Sequence, residues 1–464
     1  MPLEIPSPNF EEVHQYLTVI SFKDNKIVPC PTETGAEQSE NPEKYNKELK
    51  KDYTHALPSF LRGYIGSALL AMPYSFSRVG ILWGIILALV CCVSNHYVMK
   101  LIVLVCDDCS VSRNAWGKMC KKVSGWQLKL VADVSLLISQ VGMCIGETIF
   151  ALRFLNYAFC KLSITSLCDS HFSHVGMILV FIIPLTAVTN MKHLKIPNEI
   201  ADYLNILFMM FSILVGFVKF ESFGDFATHF DQSFFKVNFA DSLFFCGTLL
   251  YSVGGVGAIL DVRASMTHKS HFYTVLRDGI LIVGMNYVLY GAFNYLVSLD
   301  ETKEIYFYNL PLTRISLLLQ ILYLFTIPMT YITNQFPILT IVEHWMDPRE
   351  VHFQADTTEG DPIMKLKRYF VRYLIVAVTI TVAYLTPSFE LFLSLVGSFN
   401  FAVMNGLIPV IAYNIRFKGR VPSWKLGLNL VIMVVTVIVG FFGIVQSIND
   451  MMKIQGGAGS LIKV

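Results

Sequence analysis

Apolar and polar stretches alternate along the 464-residue chain so as to leave eleven apolar windows, separated by charged or Pro/Gly-rich breaks. They lie near 57–77, 79–105, 128–160, 175–190, 200–218, 238–262, 275–299, 311–343, 369–386, 388–413 and 425–448. About twenty apolar residues cross a bilayer as a helix, so each window predicts a transmembrane helix. The fourth is short, and the third and eighth are long enough to tilt. Residues 1–56 are polar, without the apolar core and cleavage pattern of a signal peptide, and predict a disordered cytosolic tail.

Basic residues orient the windows. With the N-terminus inside, 24 Lys and Arg fall in segments on the cytosolic side, and eight fall on the other: Arg78, Lys161, Lys219, Lys236, Lys303, Arg314, Lys453 and Lys463. That bias follows the positive-inside rule and implies an odd number of crossings with a cytosolic N-terminus. Composition agrees. With 54% of residues hydrophobic and 15% charged, the chain is too apolar for a soluble protein and belongs in a lipid bilayer. A net charge of +2 without a long basic run implies no nucleic-acid partner. Cys91, Cys92, Cys144 and Cys246 sit inside apolar windows and read as small core residues, so no metal or cofactor is expected. His96, His193, Asp202 and His344 fall at the cytosolic rim without catalytic spacing, and no enzyme is expected.

The first window departs from an ordinary spanning helix. Arg62-Gly-Tyr-Ile-Gly-Ser-Ala-Leu-Leu-Ala-Met-Pro73 carries two glycines, a serine and a proline within twelve residues. Lipid offers the backbone no hydrogen-bond partners, so a helix that breaks in mid-membrane generally lines a cavity that binds something. The sixth window repeats the feature in Gly247-Thr-Leu-Leu-Tyr-Ser-Val-Gly-Gly-Val-Gly257. Small residues also allow close helix packing. Two interrupted windows in matching positions favour a carrier.

These residues carry a resemblance. Gly63, Ile65, Gly66, Leu69, Leu70, Pro73, Phe76 and Gly80 fall in register with the Lys-Gly-x-Ile-Gly-x-Gly-Leu-Leu-x-x-Pro signature of the amino acid/auxin permease family, nearest its proton-coupled amino acid transporter branch. Gln140, Gly142 and Cys144 resemble the family's third-span pattern, and 247–257 resembles its Gly-Thr-x-x-Phe-Ser-Phe-Glu-x-x-Gly segment. Phe336-Pro337, Ser394-Leu-Val-Gly-Ser398 and Pro409 match further landmarks, so the likeness covers most of 57–415. It implies an all-α membrane protein of LeuT-like fold. Residues 57–218 and 219–413 would be inverted five-helix repeats, with the eleventh helix and tail in 414–464. It further implies a secondary active amino acid transporter, a monomeric symporter coupled to H+ or Na+ and working by alternating access. An amino acid sensor on the same fold is the rival reading. The membrane would be the plasma membrane or that of a lysosome-like organelle.

A free amino acid is a zwitterion, and a dry site must satisfy both of its charges. The resemblance assigns the carboxylate to half-helix amides from Gly66 through Ser67 and Ala68 to Leu69. The ammonium falls to carbonyls near Gly63 and from Ser252 through Gly254 to Gly255, with Ile65, Gln140 and Gly257 nearby. Tyr251 is either a gate or a packed ring. There are departures from the family pattern: Ala68 replaces its third glycine, Gly254 a glutamate, and Ser59 a histidine of the proton-coupled branch. Glu147 stands in the third window where the family places a tyrosine. An ionisable group inside a span is costly and functional by default. Glu147 is therefore a candidate proton acceptor or partner for a cationic substrate. The alternative is a pair with Arg153, six residues on, a spacing that does not align on one helix face. Arg62 either closes an inner gate against Asp261 or snorkels to headgroups. Thr330 and Thr333 are either sodium ligands or bonded back to their own helix.

Overall fold

A computed structural model describes residues 42–109, 111, 115–161, 171–188, 195–219, 223–254, 256–311, 313–346 and 362–461. The chain opens with α1 (Pro42–Arg62), a 3-10 turn (Ser67–Ala71), α2 (Met72–Val79), α3 (Ile81–Asp108), α4 (Ala115–Lys161), α5 (His171–Thr186) and α6 (Lys195–Lys219). It continues with α7 (Phe223–Phe234), α8 (Ser242–Val253), α9 (Val256–Ser265) and α10 (Phe272–Ser298). It ends with α11 (Arg314–Leu324), α12 (Thr326–Met346), α13 (Pro362–Leu385), α14 (Phe389–Asn400), a π-helical turn (Phe401–Leu407), α15 (Ile408–Arg416) and α16 (Ser423–Leu461).

Among the described residues, eight helical segments are long and apolar enough to cross a membrane. The windows that fall short are the fourth, whose helix α5 has 16 residues, and the first and sixth, whose helices are interrupted. The outer surface is apolar, with Leu89, Val90 and Val93 of α3 and Val431, Ile438 and Phe441 of α16 exposed. Such a surface is stable against lipid and costly against water. The chain is an all-helical membrane protein.

Two boundaries differ from the sequence expectation. α1 starts at Pro42, so the last part of the 1–56 stretch is helical; its Ala56 and Phe60 are buried in the core, and Tyr53 donates to Asp278 at 3.0 Å. Residues 1–41 lie outside the described residues. α4 has non-helical dihedrals at Ser124 and Gly125, and the positive φ of +77° at Gly125 suits a residue without Cβ. That kink ends a short leading helix just before the third window begins.

Close helix packing accounts for part of the glycine pattern. A Cβ on Gly397 of α14 would overlap the Gly247 carbonyl of α8, and one on Gly247 would come within 2.6 Å of the Ser394 carbonyl. Cys106 and Cys109, at C-x-x-C spacing, are buried free thiols among apolar side chains. Among the described residues no group of three or more His, Cys, Asp or Glu is placed to hold a metal ion.

Long-range polar contacts sort into two sets. On the N-terminal face the His268 amide donates to Asp52 (2.8 Å), Arg263 pairs with Asp107, and Arg416 pairs with Asp108. On the opposite face Arg78 pairs with Asp241 (2.7 Å), Lys236 pairs with Asp300 (3.0 Å), and Arg153 donates to the Pro387 carbonyl. The side chains of Arg62 and Asp261, the expected inner gate, lie outside the described residues.

Candidate functional site

The first window breaks where its glycines lie. α1 ends at Arg62, the chain runs through Gly63–Gly66 without regular helix, and the 3-10 turn begins after an extended Gly66 (φ −147°, ψ −162°). The first amides of any helix lack an intrahelical acceptor. The Leu69 amide does have one, the Gly66 carbonyl at 3.1 Å, so the amide set expected from Gly66 to Leu69 loses its last member. Tyr287 of α10 holds the break: its hydroxyl donates to the Tyr64 carbonyl at 2.7 Å and lies beside the Gly66 amide and Ser252.

The sixth window breaks between α8 and α9, at Gly254 (φ −83°, ψ 14°). The Val253 carbonyl freed there accepts from Asn95 Nδ2 of α3 at 2.8 Å. Asn95 and Tyr287 are both fully buried. Each break is thus satisfied by a side chain from a different helix, the condition for irregular backbone away from water.

Glu147 connects the first break to α4. It is 4% exposed, and its Oε1 accepts from Ser67 Oγ at 2.8 Å. Arg153 is engaged with Pro387, not with Glu147, so the alternative pairing is absent. A cavity of ≈ 70 Å³ opens beside this contact, lined by Gly63, Ile65, Gly66, Ser67, Ala68, Glu147, Tyr251, Ser252, Thr330 and Thr333 among others. Tyr251 reaches across it to donate to the Met143 carbonyl at 3.2 Å, in van der Waals contact with the Gly146 backbone. Thr330 and Thr333 donate back to Thr326 and Met329 of their own helix, at 3.1 and 2.9 Å. That back-bonding leaves oxygen lone pairs, not protons, for any occupant, and the Thr333 oxygen also accepts from Asn198 Nδ2 at 3.4 Å.

The remaining expectations fall away from the cavity. Gln140 is buried two turns before Glu147 and is not among the lining residues, and neither is Leu69. Gly254 packs against Leu250 and Asn405 instead of the cavity. Gly255 lies outside the described residues, and Gly257 sits within α9 without described surroundings.

Sequence reasoning missed Tyr64, Tyr287, Asn198 and Asn205 and assigned Asp202 to the cytosolic rim, yet all five line the cavity. Asn198, Asp202 and Asn205 are spaced four and three apart on α6, which puts polar groups on one face of an apolar helix. That stripe was visible in the sequence and is the signal that finds them. On the side toward the opposite face the cavity is roofed by aromatic rings. Phe307, from the α10–α11 connection, packs against Phe208 (4.4 Å), Tyr323 (5.1 Å), Phe154 (5.2 Å) and Phe150 (5.6 Å).

Comparison with known proteins follows the same lines. A family model described as transmembrane amino acid transporter protein matches residues 51–451. The chain is 24% identical to amino acid transporter AVT3C of Arabidopsis thaliana over 84% of this chain and 89% of that one. It is 26% identical to vacuolar amino acid transporter 3 of Saccharomyces cerevisiae, over 83% of this chain and 55% of that protein. Among solved structures, the Eremococcus coleocola manganese transporter aligns with a TM-score of 0.44 at 12% identity, over 89% of this chain and 97% of that one.

Proposed function

The chain belongs to the transmembrane amino acid transporter protein family, a family of transporters and not of enzymes, and from that premise we propose that it carries a small neutral amino acid by proton-coupled alternating access. The observation that carries this reading is the Ser67–Glu147 hydrogen bond, which sets a buried carboxylate against the broken first span. The amides of Ser67 and Ala68 suit the substrate carboxylate. The ammonium is left to oxygens around Gly63, Ser252 and Glu147. The narrow cavity, with the Ala68 methyl in its wall, favours a small side chain. Glu147 is the proton carrier: it accepts the proton that travels with the substrate and releases it on the other side. Sodium is the rival ion, since the Thr330 and Thr333 hydroxyls donate within their own helix and keep oxygen lone pairs for a cation.

Eleven crossings, with 57–218 and 219–413 as inverted repeats around the two breaks, form the scaffold for this cycle. The N-terminus is cytosolic by the distribution of basic residues. Relatives named as vacuolar transporters support an acidic organelle as the location. The test is uptake of labelled alanine into proteoliposomes containing the purified chain, with and without an imposed pH gradient. Gradient-stimulated uptake is expected. Saturable binding without flux would replace the carrier with a sensor, and uptake indifferent to the gradient would remove the proton.

A further inference from the structure

A second cavity, of ≈ 250 Å³, lies at the opposite face between α2, α8, the start of α14 and the end of α16. Three carboxylates line it, Glu304, Glu390 and Asp450, and two cations, Arg78 and Lys453. The cations are already engaged. Arg78 pairs with Asp241 at 2.7 Å and lies over the Phe244 ring, while Lys453 pairs with Asp450 at 2.8 Å. Glu304 and Glu390 are left with serine hydroxyls: Ser388 donates to Glu304 Oε1 and Ser75 to Glu390 Oε1, both at 3.0 Å.

Glu390 is the decisive group. It is 1% exposed, lines the cavity, and its Oε2 has no hydrogen-bond partner. A buried carboxylate oxygen without a donor is costly, and the cost is relieved when a donor arrives. From this geometry we propose a cation-binding site at the opposite face, separate from the central cavity, in which Glu390 and Glu304 receive an ammonium or guanidinium group. The walls select an organic cation over a metal ion. Tyr74, Leu391 and Ile454 supply ring and aliphatic surface, whereas a hard metal ion requires six or more oxygens closing around it. The neighbouring Phe389 belongs to the aromatic roof, its ring 5.5 Å from that of Phe150, so the site lies directly outside that layer.

The free amine and the α-ammonium of an amino acid share this chemistry. Isothermal titration of propylammonium chloride into the full chain in nanodiscs tests the site. Wild type is expected to bind, and Glu390→Gln and Glu304→Gln each to bind at least tenfold more weakly with unchanged thermal midpoints. Glu390→Asp, which keeps the charge, is expected to bind more tightly than Glu390→Gln and guards against a folding defect. Glu147→Gln should leave the Glu390-dependent component of this binding in place, which separates it from the central cavity. Competition by alanine identifies the amino acid ammonium as the occupant, and lack of competition identifies a free amine. Equal binding by wild type and both Gln variants, no binding by wild type, or full displacement by equimolar sodium chloride overturns the proposal.

Discussion

At the scale of single residues, the central cavity depends on a few atoms that must stay as they are. Ser67 Oγ donates its proton to Glu147 at 2.8 Å, a hydrogen bond to an acid worth about 1.5–3 kcal/mol when that acid is charged. Ser67→Ala is therefore expected to weaken alanine uptake about tenfold or more, read as KM in proteoliposomes, with little change in the amount of folded protein. Glu147→Gln keeps the shape and removes the exchangeable proton. It is expected to abolish the response to a pH gradient while binding of alanine persists, and unchanged gradient-driven uptake would take Glu147 out of the coupling step. Gly66 offers a steric test. A Cβ there would meet Glu147 Oε1 at 3.8 Å and Thr330 Cγ2 at 4.0 Å, which is ordinary contact. Gly66→Ala should fold like wild type yet lose affinity, because its methyl occupies cavity space; Gly66→Val should lose uptake altogether. Glu147 was legible in the sequence because a charged group inside an apolar window is conspicuous. Glu390 was not, because it stands at the edge of its window, where carboxylates are common and unremarkable.

At the scale of elements, the two broken helices were legible and what completes them was not. Glycines at Gly63, Gly66 and Gly254 mark the interruptions, because they recur in matching windows and not in one alone. The caps come from residues far along the chain. Asn95 and Tyr287 sit in the middle of apolar helices α3 and α10, and nothing local says that one faces the Val253 carbonyl and the other the Tyr64 carbonyl. Gly247 shows the opposite failure. It lies in the motif that suggested a binding segment, yet its lack of a side chain serves the approach of α8 to α14. Likewise Gln140 shares the helix face of Glu147, seven residues on, but lies two turns short of the cavity, an axial distance that the periodicity does not report. Caps and contacts predict different phenotypes. Asn95→Ala leaves a buried carbonyl unpaired and should cost about 1–3 kcal/mol, seen as a lower thermal midpoint in detergent. Gly397→Ala places a methyl against the Gly247 backbone, which no side-chain rotation relieves, and should yield little folded protein.

At the scale of the whole molecule, the cavity is reached unequally from the two faces. Gly63 is exposed, and Asn198 and Asp202 lie near the start of α6, so its polar lining continues toward the N-terminal face. In the other direction Phe150 and Phe154 follow Glu147 along α4, Phe208 follows Asn205 along α6, and Phe307 is driven between them from the α10–α11 connection. These rings are all buried, and the layer they form excludes water by packing without using a single charge. The proposed alternating-access cycle requires this layer to part while the N-terminal face closes. The Asp107–Arg263 and Asp108–Arg416 pairs tie the end of α3 to α9 and α15 on that face. Phe307 is the test of the roof, since it comes from a connection and not from a spanning helix, and its ring contacts three helices at once. Phe307→Leu keeps the site apolar but removes the edge-to-face ring contacts. It is expected to raise hydrogen–deuterium exchange at the 64–71 backbone amides severalfold while the amides of α14 stay protected. An exchange pattern identical to wild type would mean that water is held out elsewhere, and the barrier would then have to be sought in the helix pairs themselves.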